Sequence, residues 1–515
     1  MTAPIEKAAG APIFARGAMG GVPWMVASKF ILFFVYFGIS VITVRLLGPE
    51  KYGVYSLCKS MAEFGVLLGA LGLNTALIRF IPELVVQTNR AGLRRLLWKA
   101  GVLQVVAVLL ATGGLVAAAP LLDRAFGVRF GWLLPIVGLL SAALLSKDFF
   151  NDTLTALFEV RKVVFLSLAQ GVLWLGLLLW VRANRPGVAE VILAHSFSIL
   201  LVSAFAGWVL IRHIEELRWR SPSQGVGKER VLRFAIPSFL NNLARAVMLR
   251  YSEIFFLGAF WGAQVAGIYD LGCSAPFLAI TFIPMAVQTL LSAGFSEAHS
   301  RDPSCLPRLV DFSYKFLVLL AVPVAVFGVF FAPRAMVLIY GEAMRDAGPV
   351  ASIFCVLHMM PLISMPLSMA IMAREKVLAM LPLMLLQVAM NLALDAILIP
   401  TWGLKGAVAA VALTFVLTIP VRLRAVKRLV GGIWFPTGFL LRLLVPCLLL
   451  AGALRWFAPN PGLPMLLALA VAYALLLVAA IRAFSLIREA DVVAARELGF
   501  SRLNRALDLL LGARA

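Results

Sequence analysis

Apolar stretches long enough to cross a lipid bilayer follow one another along the whole chain. A transmembrane helix needs about 20 predominantly apolar residues, and this sequence of 515 residues is 62% hydrophobic and only 14% charged. Because a soluble domain carries about a quarter charged residues, the composition predicts an all-α polytopic membrane protein with about 14 transmembrane helices. The predicted spans lie near 22–44, 54–77, 100–122, 132–158, 163–181, 188–211, 234–258, 265–292, 313–332, 348–372, 377–399, 404–421, 438–457 and 463–481.

The distribution of basic residues predicts the orientation of these spans. With the N-terminus in the cytoplasm, 30 of the 46 Lys and Arg residues fall in cytoplasmic segments, 10 in periplasmic loops and the other six inside or at the edge of spans. Cytoplasmic loops of membrane proteins carry this kind of excess. We therefore expect a protein of the bacterial inner membrane with both termini cytoplasmic. The net charge of +21 is then a topology signal, and we expect no nucleic-acid partner.

Cysteine and histidine residues show no spacing typical of metal binding. The five cysteines are scattered without a CxxC pair, and the four histidines form no motif. A disulfide framework or a metal knuckle would need regular cysteine spacing. No phosphate-binding Walker motif occurs either. We therefore expect no metal site, no cofactor and no catalytic residues.

An internal repeat relates the two halves of the chain at an offset of 214 residues. Apolar sequences match by chance often, but this ungapped register also aligns Gly, Pro, Tyr, Glu and Lys. Since the offset equals six predicted spans, both copies cross the membrane in the same direction, which predicts two lobes related by an axis along the membrane normal. Two such lobes can rock about a wet central cleft, so the repeat predicts transport by alternating access. The matching pairs are Pro23/Pro237, Gly48/Gly262, Gly53/Gly267, Val54/Ile268, Tyr55/Tyr269, Leu57/Leu271, Ser60/Ser274, Thr75/Thr289, Leu77/Leu291, Glu83/Glu297, Ala156/Ala370, Lys162/Lys376 and Val163/Val377.

The repeat and the loops together predict the domain organisation. The chain has no long loop, and the last two spans have no partner in the repeat, so they form an appendage. The tail mixes apolar residues and arginines at helical spacing, which predicts an amphipathic helix on the inner leaflet. The predicted segments are an N-terminal cytoplasmic segment (1–21), a first lobe (22–211), a cytoplasmic linker (212–233), a second lobe (234–421), the appended spans (422–481) and a cytoplasmic tail (482–515).

Ionisable residues inside the spans are candidates for the transport site. A charge at membrane depth costs about 3 kcal/mol and usually faces a cavity or a partner. Five cations are candidates for binding an anionic diphosphate, since Arg and Lys both bind phosphate oxygens: Lys29, Lys59, Lys147, Arg245 and Arg250. Five acids are candidates for ion coupling or for charge pairing: Glu63, Asp148, Asp152, Glu253 and Asp270.

Sequence spacing leaves both roles open for these charges. Lys59 lies four residues before Glu63, and Arg250 lies three residues before Glu253, so each pair can meet on one helix face. Lys29 has no acid within one helical turn, and neither does Arg245. A buried cation without a partner needs an anion from another helix or from a ligand.

Two stretches of the sequence resemble a known family. Residues 44–57, VRLLGPEKYGVYSL, and residues 69–83, GALGLNTALIRFIPE, resemble the Wzx-type O-antigen and polysaccharide flippases of the multidrug/oligosaccharidyl-lipid/polysaccharide (MOP) exporter superfamily. The resemblance implies a MATE-like fold of two pseudo-twofold-related six-helix bundles plus two C-terminal helices. It also implies that the cargo is an undecaprenyl-diphosphate-linked oligosaccharide, moved from the inner to the outer leaflet without ATP hydrolysis.

Partners and diphosphate ligands also follow from the resemblance. A polysaccharide polymerase and a chain-length regulator are expected partners, with membrane lipids around the chain. Cationic residues lining the cavity are thought to hold the diphosphate in this family. By their position in the spans, this role is carried over to Lys29, Lys59, Arg245 and Arg250.

Two kinds of alternative remain open from the sequence. A lipid II flippase or a MATE-type exporter would share the fold, although an exporter of organic cations favours an acid in the first span, where this chain has Lys29. A membrane-embedded polymerase or ligase would need a positioned acid or base, normally on a large periplasmic loop. The longest predicted periplasmic loop, 333–347, is short, so we expect that the protein is not an enzyme.

Overall fold

The described part of the chain is built from α-helices. The computed structural model describes residues 13–184, 186–216, 227–246, 251–301, 306–373, 381–430 and 435–483. Every regular element within these ranges is helical, which confirms the predicted all-α class. The helices are α1 (Ile13–Ala70), α2 (Leu73–Val86), α3 (Arg90–Ala117), α4 (Ala119–Phe126), α5 (Leu134–Ala156), α6 (Val160–Asn184), α7 (Val188–Glu216), α8 (Lys228–Ala246), α9 (Ser252–Trp261), α10 (Ala263–Arg301), α11 (Leu306–Tyr340), α12 (Ala347–Leu357), α13 (Met359–Ala373), α14 (Leu381–Val430), α15 (Thr437–Phe457) and α16 (Leu463–Ala483), with a 3-10 turn at Glu342–Met344.

Eleven helices in the described ranges are long and apolar enough to cross a membrane. Two of these stretches, Phe30–Ala70 in α1 and Leu381–Ala425 in α14, have 41 and 45 residues. Forty residues of helix measure about 60 Å, or twice the apolar thickness of a bilayer. Each contains two predicted spans, separated by non-helical backbone at Gly48 and Gly403. The protein is thus a multi-pass membrane protein, and the total of 14 spans stays a prediction.

The break in α1 lies at the Leu-Gly-Pro turn that the sequence singled out. Gly48 has φ 68° and ψ 174°, a conformation that favours glycine because it lacks a Cβ atom. Pro49 follows, and proline suits the first turn of a new helix because that turn leaves its N–H groups unbonded. Gly262, its partner in the repeat, has φ 88° and ψ 167° between α9 and α10. The repeat therefore extends from sequence to backbone conformation.

A second glycine pair of the repeat lies where α1 and α10 touch. A Cβ atom on Gly53 would collide with the carbonyl oxygen of Ala263, and one on Gly267 would lie 2.7 Å from the Cα of Gly53. Small residues allow this close backbone approach between helices in membranes. Beside the contact, Tyr52 Oη donates a hydrogen bond of 3.1 Å to Asp270 Oδ2. Asp270, a candidate for ion coupling or pairing, is therefore engaged by a neighbouring helix.

The described chain divides into two compact units. The first unit holds Ala27–Asp270 together with Met384–Ala410, and the second holds Leu271–Leu383 with α15, α16 and the last part of α14. The predicted lobe boundaries at 22–211 and 234–421, and the cleft between the lobes, stay predictions. The predicted tail lies outside the described residues from position 484 onward.

Each unit has its own apolar core. In the first unit, fully buried residues such as Ile81 and Leu154 join α2, α3, α5, α7 and α8. In the second unit, residues such as Tyr314 and Leu443 join α11, α13, α15 and α16. The appended helices α15 and α16 pack on α11. Polar side chains inside these helices are therefore held in fixed positions by the packing around them.

Candidate functional site

Three of the predicted diphosphate ligands fall on parts of the chain that are not described. These are the side chains of Lys29 and Arg245 and the whole of Arg250. Their roles stay predictions, and so does the pairing of Arg250 with Glu253.

Lys59 and Glu63 form an ion pair on α1. Lys59 Nζ lies 3.7 Å from Glu63 Oε1, and the two side chains are 28% and 25% exposed. Tyr251 Oη also donates a hydrogen bond of 3.0 Å to Glu63 Oε2. The charge of Lys59 is therefore partly neutralised in this conformation. Its role as a diphosphate ligand requires the anion to compete with Glu63.

Lys147 belongs to a polar network that joins four helices of the first unit. Lys147 Nζ lies 3.4 Å from Gln170 Oε1, which also accepts a hydrogen bond of 2.6 Å from Tyr36 Oη. Gln170 Nε2 in turn donates to Ser198 Oγ at 3.4 Å. A cavity of about 10 Å³ beside Lys147 and Gln170 has room for about one water molecule. Lys147 is thus held by a neutral amide, and it also interacts electrostatically with its sequence neighbour Asp148.

His195 lies next to this network and was missed at the sequence level. Its ring stacks on Trp174 with centroids 3.6 Å apart and planes 8° apart. The side chain is buried, and Nδ1 has no hydrogen-bond partner among the described residues. Lys59 and Lys147 both interact electrostatically with it. The first unit therefore gathers two lysines and a histidine from distant parts of the sequence.

Asp148 and Asp152 lie one helical turn apart on α5. Asp152 hydrogen-bonds with Asn74, and Asn74 Oδ1 accepts a hydrogen bond of 2.6 Å from Gln104 Nε2. These contacts join α2, α3 and α5. Asp152 is therefore engaged in packing between helices, and ion coupling by either acid stays a prediction.

A second polar cluster of the first unit consists of two carboxylates, an amide and a hydroxyl. Glu253 and Asp395 are 0% exposed, and Asn391 is 1% exposed. Asn391 Nδ2 donates to Glu253 Oε1 at 3.2 Å, and Ser252 Oγ donates to Asn391 Oδ1 at 3.4 Å. Asp395 lies close enough to Glu253 to repel it electrostatically. We call these four residues the acid cluster.

Several oxygen atoms of the acid cluster are incompletely hydrogen-bonded. Glu253 Oε2 and both carboxylate oxygens of Asp395 have no well-formed hydrogen bond within the described structure, although the Ser252 hydroxyl lies close enough to interact with Asp395. Two like charges in a desolvated site need a compensating cation, which can be a metal ion or a proton. Buried acids of this kind mark ion pathways in transporters. The described residues hold no group of three or more His, Cys, Asp and Glu able to bind a metal ion.

The fold is shared with solved transporters. The lipid II flippase MurJ, in an inward closed conformation, aligns with a TM-score of 0.71 at 12% identity over 90% of this chain and 100% of that chain. An inward-facing multidrug resistance MATE family transporter of the MOP superfamily gives 0.55 at 16% identity over 77% and 95%. A MOP superfamily transporter from Pyrococcus furiosus gives 0.52 at 16% identity over 80% and 96%. At these identities the likeness shows a common fold.

One family model matches the sequence directly. Residues 42–349 match the family described as polysaccharide biosynthesis protein, a region that contains both stretches on which the resemblance was based. A search among curated proteins finds no match. The expected relation to the MOP superfamily is confirmed by the family match and the shared fold. The chain therefore belongs to the polysaccharide biosynthesis protein family and has the fold of the MOP superfamily transporters.

Proposed function

We propose that this protein flips an undecaprenyl-diphosphate-linked oligosaccharide from the inner to the outer leaflet of the bacterial cytoplasmic membrane by alternating access. The observation that carries the proposal is the match of residues 42–349 to the polysaccharide biosynthesis family in a chain with the fold of a lipid II flippase. The family description supports a glycan as part of the cargo. The fold supports movement of a lipid-linked molecule across the membrane. The chain itself performs no catalytic step.

The first unit supplies positive charge for the diphosphate. Lys147 is held by Gln170, so it can exchange a neutral partner for a phosphate oxygen. Lys59 becomes available when it leaves Glu63. Lys29, Arg245 and Arg250 add further cations in this proposal. A charged hydrogen bond to phosphate is stronger than one to a neutral amide, which favours the exchange.

The acid cluster supplies a place for a coupling cation. Its carboxylates are buried, and three of their four oxygen atoms have no well-formed hydrogen bond within the described structure, which suits a site that loads and releases one Na⁺ or H⁺. The membrane potential, inside negative, drives a dianionic diphosphate outward by about 4.6 kcal/mol per 100 mV. Return of a cation inward is favoured by the same potential. The membrane potential therefore drives both the outward movement of the diphosphate and the inward movement of the cation.

The cellular setting follows from this role. We place both termini in the cytoplasm, where the basic segments lie, and the flipped cargo on the periplasmic side. A polymerase and a chain-length regulator would then act on the delivered glycan. Reporter fusions within 212–233 and 333–347 test this topology, with cytoplasmic and periplasmic signals expected, respectively.

A flipping assay with purified full-length protein tests the proposal. Proteoliposomes would carry an undecaprenyl-diphosphate oligosaccharide with a label that a membrane-impermeant reagent modifies only in the outer leaflet. We expect the protein to accelerate exposure of the label well above protein-free liposomes. Liposomes containing the Asp395→Asn variant at equal protein content are the matched control. Equal rates in wild-type and protein-free liposomes would overturn the proposal.

Lipid II is the second candidate cargo, because MurJ aligns over 90% of this chain. The same assay, with lipid II in place of the oligosaccharide, distinguishes the two candidate cargoes. Movement of lipid II without movement of the oligosaccharide would assign the chain to that function. Movement of an organic cation alone would indicate an exporter, and lengthening of the glycan would indicate a polymerase.

A further inference from the structure

The first unit carries an open groove on its surface between α3, α5 and α7. The groove encloses about 1440 Å³. Its walls are mainly apolar, and three side chains of α3 are well exposed: Val102 by 43%, Val105 by 56% and Leu109 by 63%. Because these helices are long and apolar enough to cross a membrane, we expect lipid chains against this surface.

One end of the same groove is strongly basic. Arg90, Arg94 and Arg95, in the first turns of α3, all line it. No hydrogen bond or ion pair joins the guanidinium group of any of the three to another residue in the described ranges. Trp98, one turn further along, also lines the groove and is 73% exposed. Exposed tryptophan is typical of the membrane–water interface.

The start of α3 adds to the attraction for an anion. Asn89 Oδ1 caps the helix by accepting a hydrogen bond of 2.8 Å from Gly92 N–H, and the first turn holds no acid. The N-terminal end of a helix carries partial positive charge. Glu215 is the one acid among the groove-lining residues. The groove is therefore lined by three positive charges and one negative charge.

We propose that this groove binds an anionic phospholipid of the cytoplasmic leaflet. Its phosphate lies on Arg90, Arg94 and Arg95, and its acyl chains lie along the apolar walls. Basic pockets beside transmembrane helices on the cytoplasmic side suit anionic headgroups, and the charge distribution predicts that this end of α3 is cytoplasmic. Three arginines exceed the charge of one phosphate, so a lipid with two phosphates, such as cardiolipin, binds most tightly.

The groove and the polar network use different faces of one helix, and Phe150 lines both the groove and the cavity beside Lys147. On α5, Ser146 and Phe149 line the groove, while Lys147 faces Gln170. A lipid seated in the groove therefore packs against the helix that positions Lys147. We expect groove occupancy to change the transport rate as well as lipid retention.

Native mass spectrometry of the purified full-length protein tests the proposal with cardiolipin, phosphatidylglycerol and phosphatidylcholine as probes. The triple variant Arg90→Gln, Arg94→Gln, Arg95→Gln removes the headgroup contacts. The triple variant Arg424→Gln, Lys427→Gln, Arg428→Gln removes the same number of charges from exposed positions at the end of α14 and is the control. We expect about a tenfold or greater loss of cardiolipin affinity in the first variant and less than a twofold change in the second.

A second variant tests the apolar part of the site without changing charge. Gly101 lines the groove, and a Cβ atom there would meet only Phe149 Cζ, at 3.9 Å. Gly101→Phe should therefore fold and fill the groove, with a several-fold loss of cardiolipin affinity. Unchanged affinity in both variants, or equal loss in both triple variants, overturns the proposal. Displacement of cardiolipin by undecaprenyl phosphate but not by phosphatidylglycerol also overturns it, because the groove would then hold the cargo lipid.

Discussion

The two copies of the internal repeat share a scaffold but differ in their polar residues. Gly48 and Gly262 have the same positive-φ conformation, and Gly53 touches Gly267. The acid cluster has no counterpart in the first copy, where apolar residues stand 214 positions earlier. These pairs are Glu253/Ile39, Asn391/Leu177 and Asp395/Val181.

The polar network shows the reverse difference. Residues of the Lys59–Glu63 pair and of the polar network align with uncharged residues of the second copy, as Lys59/Cys273, Glu63/Phe277, Lys147/Pro361 and Gln170/Met384, whereas Tyr36 of the network aligns with Arg250. Positions that fix the backbone were kept in both copies, whereas charge was distributed unequally. The copies therefore share one scaffold, and the second copy carries the acid cluster at positions that are apolar in the first.

The largest effect should come from the shared scaffold. Gly53→Ala places a Cβ atom against the backbone of Ala263, so we expect a severalfold loss of folded protein, and Gly267→Ala should behave in the same way. Gly38→Ala on the same helix is the control, because a Cβ atom there meets nothing within 4 Å. Fluorescence-detected size-exclusion chromatography measures the folded fraction. Equal yields from all three variants would show that the glycine contact is not required.

Loss of the acid cluster should stop transport but preserve folding. Asp395→Asn and Glu253→Gln keep the side-chain shape and remove a buried charge, so we expect a more than tenfold lower flipping rate and no remaining response to a Na⁺ or pH gradient. Glu342→Gln, with an exposed side chain, should flip at the wild-type rate. Wild-type gradient response in both cluster variants would assign the cluster a purely structural role.

Removal of the charge at Lys147 should have an intermediate effect. Lys147→Gln retains a polar partner for Gln170, and we expect about a tenfold lower transport rate, since one charge-assisted phosphate contact is lost. Lys147→Arg should recover part of the rate because it restores the cation. Lys51→Gln, at an exposed position, is the control. A Lys147→Arg protein no better than Lys147→Gln would point to packing and not to charge.

The Lys59–Glu63 pair should contribute little to stability. Both side chains are about a quarter exposed, and pairs of this type are worth less than about 1 kcal/mol. A double-mutant cycle with Lys59→Met and Glu63→Gln, followed by thermal unfolding in detergent, measures the coupling. A coupling well above that value would mean that the pair is desolvated in the dominant conformation.

The smallest effect on stability is expected at Glu83, which aligns with Glu297 in the internal repeat. Arg230 donates hydrogen bonds of 2.7 and 3.0 Å to the Glu83 carboxylate, and these bonds lower the pKa of Glu83. The stabilisation is therefore complete above the ordinary Glu pKa of about 4.3 and is lost as the pH falls through the lowered value.

Arg230→Gln tests this pH dependence. At pH 7 we expect the variant to melt less than about 2 °C below wild type, because the pair is exposed. The difference should shrink as the pH drops below about 4. A difference that grows in acid would contradict the assignment. Differential scanning fluorimetry across a pH series provides the measurement.

Local features of the sequence predicted local features of the structure. The Leu-Gly-Pro turn at Gly48 and the Lys59–Glu63 spacing each depend on a few neighbouring residues, and the structure shows both. The acid cluster depends on the packing of α9 against α14, which brings together Glu253 and Asn391 from 138 residues apart. Glu253 was a candidate because it lies inside a predicted span, but no sequence feature indicated that Asn391 and Asp395 lie beside it. No spacing rule indicates that His195 stacks on Trp174.

The Gly53–Gly267 contact joins equivalent positions of two related segments. Such a self-complementary contact is the hallmark of an isologous dimer. In a dimer of identical subunits, every acid added to one subunit would appear in the other as well. Two segments of a single polypeptide are free of this constraint, because a substitution in one segment does not appear in the other. Because both copies lie in one polypeptide, the second can carry buried carboxylates at positions where the first has apolar residues.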